Sequence, residues 1–422
     1  MKILIKSAKI IDVNSKHHNK TLDILIENGI IKKISKKISE NKIKKFSSDN
    51  LHVSVGWSDI HANFREPGYE HKNDILSGIE SAIKGGFTSI LLMPNTQPVI
   101  DNKSLIEYIN NITKDSIVDV HIAGSVTKNM QGDDLVEMYD MNSVNCKIFT
   151  DDKNSLNRNE ILKLALLYSK DFNGLIMNFP NDKSLSQNGV INEGETSTSL
   201  GLKGISNIAE EIMLDRDINL AKYTKGNLHI SYVSTKGSVR RIKEAKKKNM
   251  NISADVSINN LVMTEDKLTS FDTNYKLLPP LRNINDQSAL IKGLKEGTID
   301  IISSDHSPHE EDSKKVEFEN AEFGIIGLES MFGLIIKNLE NDLSINEIIE
   351  KISNNPRKII DKETYSINEG EKANLTLFDP NIEWELKEND IKSKSFNTPF
   401  IGEKLKGKAL AIYNNRKFRI IN

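Results

Sequence analysis

Four short stretches concentrate side chains able to move protons, bind anions or ligate a metal. They are Asp59-Ile60-His61-Ala62-Asn63-Phe64-Arg65, Pro94-Asn95-Thr96, Thr150-Asp151-Asp152 and Ser304-Asp305-His306-Ser307-Pro308-His309. Imidazoles and carboxylates serve as bases or as ligands, and a guanidinium fork beside an amide suits a carboxylate. The single Cys146 rules out a disulfide framework or a thiolate cluster, so any metal here would need His and carboxylate ligands. Each stretch follows an apolar run, where a purely structural protein would need only a turn.

Those apolar runs are the elements that must position the chemistry. Between about 54 and 355, short strands are expected at 89–93, 118–123, 147–149, 175–178, 227–233, 251–254 and 299–303. Helical segments such as 75–84 and 159–169 separate them. This alternation argues for βαβ units with parallel strands. In a parallel barrel, functional residues gather at the C-terminal strand ends, which is where the four stretches fall. Both chain ends read differently. Runs of β-formers flank Asn28-Gly29, a strong hairpin signal, and further short strands are expected around 373–378, 410–413 and 417–420.

The motifs, taken together, resemble the dihydroorotases of the cyclic amidohydrolase group. The resemblance rests on Asp59-Ile60-His61 with Phe64-Arg65-Glu66-Pro67-Gly68, Met93-Pro94-Asn95-Thr96, Phe149-Thr150-Asp151-Asp152 and Gly189-Val190-Ile191-Asn192-Glu193-Gly194. Val233-Ser234-Thr235-Lys236, Pro279-Pro280-Leu281-Arg282 and Gly297-Thr298-Ile299-Asp300 running into Asp305-His306-Ser307-Pro308-His309 complete it. It implies an α/β fold: a TIM-like (β/α)8 barrel from 55–360, with a small β-sandwich built from 1–54 and 361–422. It also implies ancestry in pyrimidine synthesis, where the family interconverts carbamoyl-aspartate and dihydroorotate.

The family holds one or two zinc ions in the barrel mouth, and carrying its ligands over gives a mixed answer. His61 matches the first histidine and Asn63 replaces the second. Asp152, or less well Asp151, matches the bridging carboxylate. Phe179 and Tyr232 stand where two further histidines are expected, and Asp305 matches the last ligand and general base. His61, Asp152 and Asp305 are therefore remnant ligands, and zinc is expected to be absent or weakly held. Phe179 and Tyr232 should fill part of the vacated volume, with the tyrosine hydroxyl free to bond a carboxylate. His229, three residues before Tyr232, should point to the opposite face of its strand. On the substrate side Arg65, Asn95 and His309 match the residues that bind the ligand carboxylate, and they should converge on one anion. The alternative for Arg65 is a structural ion pair, and for Asn95 a turn residue. Leu278 replaces an asparagine contact.

The 422 residues carry 57 Lys+Arg against 59 Asp+Glu, a net charge of −2. That balance gives no reason to seek nucleic acid or anionic lipid. With no run of ~18 apolar residues and no signal-peptide pattern at the start, a cytoplasmic chain is expected. Three functions fit. The first is a non-catalytic homologue acting as scaffold or regulatory partner, for which the resemblance suggests aspartate transcarbamoylase. The second is an active cyclic amidohydrolase with an atypical metal site, and the third a binding protein for a small carboxylate such as carbamoyl-aspartate. An oligomer is expected.

Overall fold

Runs of Ile, Val and Leu with polar interruptions at period two form the N-terminal strands of the computed structural model, which describes residues 2–40, 43–360 and 364–422. They are β1 (Lys2–Ile11), β2 (Thr21–Glu27), β3 (Ile30–Ser35), β4 (Lys44–Phe46) and β5 (His52–Val55). Asn28 and Gly29, at φ of 51° and 88°, make the tight β2–β3 turn that the sequence signals.

The barrel strands are β6 (Trp57–Ala62), β7 (Phe87–Leu92), β8 (Asp119–Ile122), β9 (Ile148–Phe149), β10 (Leu175–Asn178), β13 (Asn227–Ile230), β14 (Ile252–Ser257) and β15 (Ile301–Ser303). A two-residue ladder, β11 (Ile191–Asn192) with β12 (Gly204–Ile205), lies between β10 and β13 in the chain. All eight barrel strands are parallel, in one group of three and one of five. Parallel bridges Gly124–Phe149 and Ala62–His306 close the two groups into a ring. Ile60, Leu91, Met93, Ala123, Ile148, Met177 and Ile301 meet inside it. Residues of the other parity, such as Ile90, Ile176, Leu228, Ala254 and Ile302, join the larger core shared with the surrounding helices. The helix Ile75–Gly85 shows why these segments are helical. Asp74 caps it, Ile75, Ile79, Ala82 and Ile83 bury one face, and Gly86 ends it in the left-handed region.

The C-terminal strands β16 (Leu375–Glu385), β17 (Lys404–Asn414) and β18 (Lys417–Ile420) return to the first five. The resulting sheet has eight strands, and β5 is the seam, parallel to β1 and antiparallel to β16. Ile24, Ile31, Val53, Leu377 and Tyr413 share one core, so the sheet curls round its own interior. Its N-terminal passage into the barrel is Gly56, where a Cβ would come within 2.0 Å of Thr88 Oγ1 and 2.1 Å of Asn374 Oδ1. The C-terminal boundary expected at 360/361 falls against residues 361–363, outside the described residues. Among the described residues no helix is long and apolar enough to cross a membrane.

Trp57 joins the two units. It is fully buried, its ring lies 4.3 Å from Phe332 and 5.5 Å from Phe378, and its Nε1 donates to Ser54 Oγ at 3.0 Å. Trp57→Ala should cost about 3–5 kcal/mol. Urea unfolding followed by circular dichroism measures it, and a loss under 1 kcal/mol would show that the junction does not depend on this ring.

Candidate functional site

The barrel mouth is assembled by four bends. Arg65, Asp152, Tyr232 and Asp305 follow the ends of β6, β9, β13 and β15, and all four have left-handed backbone, with φ of 68°, 49°, 57° and 52°. Such conformations are costly for non-glycine residues, above all for a tyrosine, and they cluster at functional sites. Each bend turns a side chain inward that a continuing strand would have carried elsewhere.

Below the mouth lies Asp255 on β14, fully buried. Its Oδ1 accepts from His61 Nε2 at 3.0 Å, His229 Nε2 at 3.0 Å and the Tyr232 amide at 3.1 Å. Its Oδ2 accepts from Ser303 Oγ at 2.6 Å. His229 also meets Ser253 Oγ at 2.8 Å. The expectation that His229 and Tyr232 face opposite ways is therefore corrected. Strand geometry stops at Ile230, and the bend at Tyr232 cancels the parity rule. Four donors hold Asp255 ionised despite burial, well below the usual carboxylate range. Burial opposes charge on His61, but Asp255 outweighs it and shifts the imidazole upward.

The Tyr232 ring stacks on His61, centroids 3.9 Å apart, and Phe179 meets it edge-on at 6.1 Å. Its hydroxyl donates to Asp152 Oδ1 at 3.3 Å, as expected of a tyrosine in this place. Asn95 Nδ2 donates to the other Asp152 oxygen at 2.7 Å. Asp151 faces away and accepts from the amides of Val126 and Thr127, which assigns the mouth-facing carboxylate to Asp152. Asp305 is bound by Lys153, with Nζ to Oδ1 at 2.6 Å, and the same ammonium lies 4.8 Å from the centre of the Tyr232 ring. Burial pushes the Asp305 carboxyl up to about 6, with Lys153 opposing.

Arg65 and His309 meet on the other side of the mouth. Arg65 donates through Nη2 to His309 Nε2 at 3.1 Å and through Nε to the Pro308 carbonyl at 3.1 Å. Among the described residues no carboxylate lies within ion-pair distance of this buried guanidinium, which removes the structural ion-pair alternative. Burial, then Arg65 and Lys72, push the His309 imidazole far below its ordinary value, so it is neutral and accepts. Asn95 does not join them as expected, because its amide is spent on Asp152. Asn63 donates to Ser307 Oγ at 3.2 Å.

Each remnant ligand has a partner within the chain. His61 is turned to Asp255, Asp152 is bound by Asn95 and Tyr232, and Asp305 by Lys153. Among the described residues, only His61, His229 and Asp255 place candidate ligand atoms within 4.8 Å of one another. That trio is a closed hydrogen-bonded cluster, with His61 Nδ1 left unpartnered. Sequence reasoning missed Lys153 and Asp255. The lone charge in Ile252-Ser253-Ala254-Asp255-Val256-Ser257 was the available signal, but the expected strand stopped at 254.

Residues 52–238 match the family model described as dihydro-orotase-like, and 190–410 match that of the amidohydrolase family. A dihydroorotase of Caldicellulosiruptor saccharolyticus is 44% identical over 421 residues, covering 98% of this chain and 97% of its own. One of Trichlorobacter lovleyi is 39% identical over 412 residues, covering 97% of each. The chain belongs to the dihydroorotase family. Its fold matches solved amidohydrolases. The L-hydantoinase of Arthrobacter aurescens superposes with a TM-score of 0.87 at 18% identity, covering 99% of this chain and 95% of its own. A solved D-hydantoinase gives 0.82 at 19%, covering 100% and 95%. The expected barrel with its β-sandwich is thus the amidohydrolase architecture.

Because Asp305 binds its proton more tightly folded (about 6) than unfolded (3.8), its contribution is fully present below pH 3.8 and is lost as pH rises through about 6. Compared with wild type, Asp305→Asn should therefore gain on the order of 3 kcal/mol between pH 4 and 7. Denaturant titrations of both proteins across that range check it. A pH-independent difference would count against a buried carboxylate at this position.

Proposed function

We propose that this dihydroorotase-family protein is non-catalytic, holds no tightly bound zinc, and serves pyrimidine synthesis as a scaffold or regulatory partner of aspartate transcarbamoylase. One observation supports this reading most: Asp305, at the family's general-base position, is ion-paired with Lys153 at 2.6 Å beside the aromatic pair Tyr232 and Phe179. In the family, bound zinc lowers the pKa of water to about 7 and so provides hydroxide at neutral pH. Here Asp305 would have to activate water alone while paired with an ammonium. The partner is suggested by kinship, since ligand-depleted members of the family are associated with that transferase.

Arg65 supports a second, compatible reading, retention of a small carboxylate ligand. A buried guanidinium without a carboxylate partner is expensive, and a ligand carboxylate would supply that partner. Dihydroorotate or carbamoyl-aspartate should bind in the high micromolar to millimolar range, about −4 to −6 kcal/mol, without turnover.

Elemental analysis after dialysis should find well under one zinc per chain, and a stoichiometric zinc would overturn the reading. Asn63→His, Phe179→His and Tyr232→His combined should raise zinc affinity, whereas any one alone should do little. Conversion between the two compounds that vanishes in Asp305→Asn would establish an active amidohydrolase with an atypical site instead. Calorimetry with each compound on wild type and Arg65→Ala tests the ligand, with heat expected only for wild type. Co-elution with aspartate transcarbamoylase in size-exclusion chromatography tests the partner, and separate elution at micromolar concentrations would sink it.

A further inference from the structure

Asp152 and Lys153 are adjacent, and in extended backbone their side chains would take opposite sides. The left-handed conformation at Asp152 sends both into the mouth. The Lys153 side chain is 16% exposed, and its ammonium reaches between Asp305 Oδ1 and the face of Tyr232. Those two surroundings define a particular chemistry. A carboxylate oxygen attracts any cation, but a π face has no directed lone pair for a hard divalent ion, while it does stabilise an organic ammonium. The other nearby carboxylate, Asp152, has a donor on each oxygen, Asn95 Nδ2 and Tyr232 hydroxyl. Its charge therefore adds to the field without presenting a bare oxygen pair to a metal.

We propose that Asp305 and the Tyr232 ring form an alkylammonium site, filled from within by Lys153, so that the chain carries its own cation in the mouth of the barrel. The site has exchanged divalent-metal chemistry for monocation chemistry. Of the three ammonium protons one goes to Asp305 and one side lies toward the ring. Among the described residues Nζ makes no other hydrogen bond, so its remaining donor capacity is open to an oxygen of a bound anion. Lys153 contributes, with Arg65, Lys72 and Lys314, to the positive field that keeps His309 neutral, which places its charge within reach of the carboxylate-binding side. The inference stands whether or not the mouth binds a carbamoyl-aspartate-like ligand.

Chemical rescue tests it on the full-length protein. Lys153→Ala should melt several degrees below wild type and regain much of that loss in ethylammonium chloride, but not in sodium chloride of equal ionic strength. Wild type, whose site is filled, and Lys153→Ala/Asp305→Asn, whose carboxylate is gone, should show no ethylammonium-specific gain. Absence of rescue in Lys153→Ala, or equal rescue in the double variant, would overturn the proposal. If Lys153→Ala does not fold, Lys153→Met and Lys153→Arg decide. Loss of stability in the methionine variant with retention in the arginine variant is expected, and a methionine variant as stable as wild type refutes a cation requirement. Stabilisation of wild type by zinc that disappears in Asp305→Asn would show that the site still takes a divalent ion.

Discussion

A carboxylate buried at the centre of a barrel must be met by donors on every side, or burying its charge costs several kcal/mol. Asp255 is in that position, and the mouth hangs from the way it is satisfied. Its partners come from β6, β15 and the segment just after β13, as well as β13 itself. The bond to His61 turns that imidazole down into the barrel, leaving its ring as a platform. The bond to the Tyr232 amide fixes the bend that lays the phenol on the platform. From there the hydroxyl reaches Asp152, and the ring face receives Lys153. One carboxylate thus sets the direction of His61 and, with it, the position of the Tyr232 ring that meets Asp152 and Lys153.

Above that platform lie Arg65, His309, Lys72 and Lys153. Arg65 is nearly buried yet has no carboxylate partner among the described residues, and the neutral His309 orients it by accepting a hydrogen bond without competing for charge. Lys72 lies 3.4 Å from the other nitrogen of the same ring and 3.6 Å from Glu310. Lys153 is neutralised by Asp305 only in part of its hydrogen-bonding capacity. Low dielectric strengthens each of these interactions, so an anion entering the mouth would meet donors already oriented.

Much of this fold was legible because barrel strands and their helices obey simple periodicities. The helix expected at 159–169 is Asn159–Ser169, and the strand at 175–178 is Leu175–Asn178. The Asn28-Gly29 turn needed only its two residue types. The site was legible as a set of positions but not as a set of contacts. His229 was assigned to the wrong face because strand parity was carried through Tyr232, where the backbone leaves the β region. Asn95 was expected at the anion, but Asp152 competes for its amide from the neighbouring strand exit. Lys153 carries no signal in the sequence, where a lysine after two aspartates looks like any surface lysine, and only the bend at Asp152 brings it inside. His229 and Lys153 take their places where local backbone departs from regular geometry, and Asn95 where a neighbouring strand exit offers a competing acceptor, information that residue type alone does not carry.

Phe179, Tyr232 and Lys153 make physical sense as one set. Without Phe179 the Tyr232 ring would lose its edge partner, and without Lys153 Asp305 would lose its cation. Asp305 has Lys153 as its donor, and Asp152 has Asn95 and Tyr232, with Phe179 standing just beyond β10 and Tyr232 just beyond β13. Such mutual satisfaction differs from a site that has simply decayed, where stranded carboxylates would repel one another. What is left unsatisfied is equally informative: among the described residues His61 Nδ1, Asn63 Oδ1 and Asn95 Oδ1 have no hydrogen-bond partner. Polar atoms this well covered need water or a ligand to complete them, and a mouth refilled purely for packing would have lost them. They lie beside Arg65, which among the described residues bonds neutral groups, His309 Nε2 and the Pro308 carbonyl, so uncompleted acceptors and a buried cation share one mouth.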